Sequence, residues 1–190
     1  MYHVIVTDIQ LSVPPYILAA ITTVGAGWWS DKIQKRGIVV MVFSAIGGLG
    51  YLMLLVTGMP AVNYVGLFLA ASGMYPLIPV VVSWGANNVG GSLKKGVATA
   101  IIVSVGNAGG CISSFIYPKT DRPRYYKGHA ICLAYCVLAF VLALFMTFYY
   151  KRANAKKEAR NNARHAPFTP EEKKQYEDEG DSVDWFKYTL

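Results

Sequence analysis

Apolar residues in this 190-residue chain come in long uninterrupted runs, not as a stripe or an alternation. No Asp, Glu, Lys or Arg occurs at 9–30, 37–93, 96–118 or 128–150. A hydrocarbon core about 30 Å thick takes roughly 20 apolar residues as helix. The run at 37–93 therefore has room for two spans, divided at Gly58-Met59-Pro60. The pattern predicts five spans, at 13–29, 38–57, 61–83, 96–117 and 128–150. A soluble helical core buries one such run, not a succession of them, so the fold class is all-α integral membrane. Residues 1–12 are mildly apolar and too short to span, and read as a remnant preceding the first span. They lack a basic n-region and a small-residue cleavage site, so the first apolar run is kept as a span. Pro14 and Pro15 suit a helix start, where missing N–H groups cost little. Trp28-Trp29 and Tyr149-Tyr150 are aromatic pairs at span ends, the usual interfacial position. Pro76 and Pro79 interrupt the third span.

Composition agrees with this pattern. Hydrophobic residues make up 54% of the chain and charged ones 15%, against about 25% charged in an average soluble domain. The net charge is +7, but the cations form no face for nucleic acid. They sit in short loops and just past the last span, where charge sets membrane orientation. Lys32, Lys35 and Arg36 lie in the turn 30–36, and Lys94 and Lys95 in a Gly- and Asn-rich loop at 84–95. Lys151, Arg152, Lys156, Lys157, Arg160 and Arg164 face only Glu158. The positive-inside rule places that segment, and hence the C-terminus, in the cytoplasm. The loop 118–127 is the exception, with Lys119, Arg122, Arg124 and Lys127 against Asp121, net +3, on the outer side. Residues 151–190 read as a cytoplasmic, largely disordered tail, because 165–190 is acidic and poor in aliphatic residues. Its aromatic end, Trp185-Phe186-Lys187-Tyr188, either docks on the protein or the membrane surface or stays free.

Nothing in the chain supports catalysis. His3, His129 and His165 are far apart, and no carboxylate lies within a span. Cys111, Cys132 and Cys136 read as small buried hydrophobes. The expectation is a non-enzyme with no cofactor, no metal site and no nucleic-acid partner.

Two stretches carry more specific information. Gly27-Trp28-Trp29-Ser30-Asp31-Lys32-Ile33-Gln34-Lys35-Arg36 resembles the signature loop of the major facilitator superfamily, G-x-x-x-D-[R/K]-x-G-[R/K]-R. Gln34 stands where the pattern has glycine, which weakens the turn geometry. The resemblance implies a cytoplasmic gate built on Gly27, Asp31, Lys32 and Arg36. The second stretch runs Tyr75-Pro76, Ser83-Trp84, Asn87-Asn88, Gly91, Lys94-Lys95, then Gly106-Asn107-Ala108-Gly109-Gly110. It resembles the penultimate helices of the fungal anion:cation symporter family, which includes allantoate and nicotinate permeases. Lys95 replaces an arginine of that pattern. Gly106 and Gly110 form a G-x-x-x-G face for close helix packing. Asn107 lies near the centre of its span, where its amide bonds a partner helix or meets substrate. Trp84, Asn87, Asn88, Lys94 and Lys95 fall at the cytoplasmic end and read as a helix-packing and loop motif. Tyr75, with Asn107, stays at a depth that substrate reaches.

The resemblance implies the last five helices of a twelve-helix major facilitator bundle, an incomplete one, whose N-terminal half is missing and would be its partner. It implies symport of a small organic anion, of carboxylate vitamin or ureide type, with protons, by alternating access across the plasma membrane. The rival expectation is a truncated membrane protein that does not transport and has at most an interaction role.

Overall fold

Helices form wherever the apolar runs predict them, and most extend further. The computed structural model describes residues 2–118, 121, 124–163, 180, 181 and 183–190, with 2–10 and 114 as backbone only. The elements are α1 (Tyr2–Ile33), α2 (Arg36–Val56), α3 (Pro60–Met74), α4 (Leu77–Asn87), α5 (Ser92–Ile116) and α6 (Tyr126–Ala163). Among the described residues there is no strand. Five stretches are long and apolar enough to cross a membrane: Leu11–Ile33, Arg36–Val56, Pro60–Asn87, Ser92–Ser113 and Tyr126–Ala163. The protein is a multi-pass, all-helical membrane protein.

Each departure from the expected boundaries has a local cause. Pro14 and Pro15 do not start the first helix; they lie inside α1, which includes residues 2–12. Pro15 removes the N–H that would bond the carbonyl four residues earlier. That carbonyl, Leu11 O, instead accepts from Tyr64 Oη of α3 at 3.0 Å. A neighbouring helix thus satisfies a group that proline frees, as a membrane interior requires. The third span is two helices, broken at Tyr75-Pro76. Pro79 is the third residue of α4, where no intrahelical partner is needed. The expected loop 84–95 narrows to residues 88–91, because Trp84 to Asn87 stay in α4 and Lys94 and Lys95 fall in the first turn of α5. Gly91 turns the corner with φ +85°, a conformation that favours glycine.

The basic segment after Tyr150 is not disordered: α6 continues through it to Ala163. Its Ala, Lys, Glu and Arg are strong helix formers. Much of the expected disorder at 165–190 falls outside the described residues. Residues 183–190 are ordered, and lie against the ends of α2, α4 and α6.

The core centres on α2, which packs between α3 and α6. A Cβ on Gly50 would run into Ala70 N, and one on Gly73 into Gly47 N. Glycines therefore set the α2–α3 approach. Ala26, Val39, Val40, Leu77, Val80, Trp84 and Ala143 form the buried cluster toward the basic end. Gly106 and Gly110 do not make the close packing expected of them, since a Cβ on either would meet nothing within 4 Å. α5 has no buried residue in its spanning window.

Candidate transport site

The signature loop builds a compact polar cluster at the basic end. Arg36 opens α2 and is buried. Its Nη2 donates to Asp31 Oδ1 at 2.9 Å. With the Asn87 amide turned to satisfy both sides, Asn87 Oδ1 accepts from Arg36 Nη1 at 3.0 Å and Nη2 at 3.1 Å. The two halves of the sequence signal, 27–36 and 84–88, thus meet at one arginine and tie α1, α2 and α4 together. The Asp31 side chain is 70% exposed, so water screens this ion pair and the buried hydrogen bonds matter more. Lys32 sits 5.0 Å over the Trp28 ring. Gly27 makes no close helix contact, because a Cβ there would meet nothing within 4 Å.

Gln34 has φ +56°, the left-handed region that disfavours residues with a Cβ. This is the position where the family pattern has glycine. Gln34 Nε2 donates to Asp31 O at 2.7 Å, a local bond that steadies the turn.

Tyr75 lines a cavity of about 340 Å³ between α1, α2, α3 and α6. Tyr16, Tyr51, Tyr117 and His129 line it too. The Tyr16 and Tyr75 rings meet edge to face at 5.9 Å. Tyr117 Oη lies 3.2 Å from His129 Nδ1 and 3.4 Å from Cys132 Sγ. The cavity thus combines apolar walls with tyrosine and histidine side chains, a mix that suits a small organic molecule. Tyr16, Tyr51 and Tyr117 escape a reading by sequence, since isolated tyrosines in apolar runs look like interfacial anchors. Asn107 is not part of this cavity; it lies exposed on α5. Lys94 and Lys95 are exposed at the start of α5. Trp84 and Asn88 are buried and hold residue 189, with Trp84 Nε1 donating to Thr189 O at 2.9 Å.

Known proteins share much of this sequence. The chain is 31% identical over 149 residues to the high-affinity nicotinic acid transporter of Saccharomyces cerevisiae, which covers 78% of this chain and 28% of that protein. It is 30% identical over 152 residues to the MFS-type transporter cnsO of Penicillium expansum, covering 77% of this chain and 29% of the other. This chain is a relative of fungal major facilitator transporters. An uncharacterised transporter of Schizosaccharomyces pombe is 29% identical over 180 residues, 95% of this chain and 34% of its own length. The major facilitator relationship covers most of this chain, while the chain spans about a third or less of the relatives it matches. No family model matches the sequence. No solved structure matches it either.

Proposed function

We propose that this chain is the C-terminal segment of a secondary transporter that moves a small organic anion, of carboxylate vitamin or ureide type, with protons, by alternating access. The observation that carries the proposal is the similarity, over 78% of the chain, to a protein named as a nicotinic acid transporter. The geometry supports it in two ways. α5 is long and apolar enough to span, yet has no fully buried residue in that stretch. Such a helix suits the seam between two halves of a transporter, where both walls of the pathway meet. The Asp31–Arg36–Asn87 cluster joins three helix ends on one side, which suits a gate that stabilises one state. In this reading the basic end faces the cytoplasm and the membrane is the plasma membrane. Tyr75 and Asn107 contact substrate or line its route, and the N-terminal half supplies the opposite wall.

The test is uptake of labelled nicotinate and allantoate by yeast cells. One strain expresses the reading frame extended upstream of Met1 through the further spans; another expresses the 190-residue chain. Saturable uptake that rises with external acidity in the first strain alone is the expected result. Absence of further spans upstream, or no uptake of either anion, would favour the non-transporting alternative.

A further inference from the structure

Two asparagines at the basic end, Asn88 buried and Asn154 half-buried, pair with peptide main chain. Thr189 N–H donates to Asn88 Oδ1 at 2.7 Å, and Asn88 Nδ2 donates to Thr189 O at 3.1 Å. One residue back, Tyr188 N–H donates to Asn154 Oδ1 at 2.8 Å, and Asn154 Nδ2 donates to Tyr188 O at 2.8 Å. Each side-chain amide pairs with both main-chain groups of one residue, as an adjacent strand would. Lys157 Nζ donates to the carbonyls of Asp181 at 2.5 Å, Val183 at 3.1 Å and Phe186 at 3.3 Å. The same ammonium lies 4.3 Å over the Tyr188 ring, a favourable cation–π position. Tyr188 stacks on Tyr150 of α6 with centroids 5.0 Å apart. Burial, with help from Asp181, pushes its phenol above the ordinary value.

The last contact of the segment is with α2. Gly37 N–H donates to Leu190 O at 3.1 Å. That N–H is one of the first in its helix and has no intrahelical partner, and the residue before the helix provides no side-chain cap. With the segment in place, Trp84, Asn88 and Lys157 are all more than nine-tenths buried.

We propose that the groove between the ends of α2, α4 and α6 is a peptide-binding site whose ligand is the chain's own residues 185–190. It takes the main chain of 188 and 189 through Asn154, Asn88 and Trp84 and the carbonyl of 186 through Lys157, and requires an aromatic ring at 188. The side chain at 189 is not read. Bound, the segment staples three helix ends, so that any movement separating α4 or α2 from α6 at this end must first release it. This assignment stands whether or not the protein transports.

Amide exchange, read residue by residue on the full chain in lipid nanodiscs, tests it first. The amides of Gly37, Tyr188 and Thr189 exchange slowly. In the double variant Asn88→Ala/Asn154→Ala those of Tyr188 and Thr189 speed up at least about tenfold, the ratio that one to two lost hydrogen bonds give. Random-coil exchange at 188 and 189 in the unmodified chain would overturn the proposal. So would protection that appears only at concentrations where the chain dimerises, since the occupant would then be a second copy's tail. The second arm titrates a chain ending at Asp184 with the synthetic peptide Trp-Phe-Lys-Tyr-Thr-Leu. Saturable binding is expected, retained with alanine in place of Thr189 and lost with an N-methyl group on the Thr189 nitrogen or alanine in place of Tyr188. Equal binding of the N-methylated peptide contradicts main-chain reading. Should the shortened chain not fold, the exchange measurement on the full chain decides alone.

Discussion

Gln34 shows how a single residue can report a motif by violating it. The turn between α1 and α2 needs a left-handed residue, and Gln34 supplies one at φ +56°. A residue with a Cβ loses roughly 1–2 kcal/mol in that region. Glycine removes that strain and gives back about 0.5–1 kcal/mol as chain entropy. Gln34→Gly should therefore stabilise the chain by up to about 1 kcal/mol, read as a rise in melting temperature in detergent. A fall would mean that the Gln34–Asp31 bond, and not the backbone, governs the turn. This much was legible in the sequence, because the departure from the glycine pattern falls on one position. Arg36 was legible only in part. The loop shows that Asp31 is within reach of it, but its second partner, Asn87, arrives only when α2 and α4 pack side by side.

At the scale of elements, the apolar runs placed the spans but could not say where the helices stop. Charge ends a span, because lipid excludes it; it does not end a helix, as the basic extension of α6 to Ala163 shows. Proline reads as a helix start, yet Pro14 and Pro15 lie inside α1 because another helix satisfies the freed carbonyl. That explanation makes a coupled prediction. Tyr64→Phe removes the bond to Leu11 O and should cost about 0.6 kcal/mol, the average for interhelical bonds in membranes, and at most about 1.7. In a Pro15→Ala background the restored N–H at position 15 can bond Leu11 O, so the same Tyr64→Phe change should cost less than half as much. Thermal unfolding of the four proteins of this double-mutant cycle gives the coupling. Additive losses would show that Tyr64 contributes through its ring, which meets Phe68 edge to face at 5.0 Å. Small residues were equally visible and harder to use. Gly106 and Gly110 match a named packing pattern, yet a Cβ on either would meet nothing within 4 Å, while Gly47, Gly50 and Gly73 lack that spacing and set the α2–α3 contact. A spacing alone does not say which face a helix turns inward.

The molecule as a whole is lopsided. α2, α3 and α6 make the packed body, whereas α5 leans chiefly on α4, where Ile102 fills the space over Gly85. Large apolar side chains along α5, among them Val97, Ile101, Val105 and Ile112, are exposed over its length. In a bilayer lipid tolerates those side chains, but it does not hydrogen-bond an amide, and Asn107 sits among them. An asparagine there is stable once something else satisfies it: the other half of a transporter, substrate, or water in a pathway between halves. The consequence separates two proteins. In the 190-residue chain Asn107→Leu should change the melting temperature by no more than about 0.5 kcal/mol equivalent, since the amide is exposed there. On the proposed function, the same substitution in the upstream-extended protein should lower uptake severalfold, its partner then lying across the seam. A large destabilisation of the short chain would place the partner within it, and unchanged uptake in the long one would remove Asn107 from both packing and transport. The sequence marked this residue as costly in its surroundings but left its partner open, and the described helices leave it exposed.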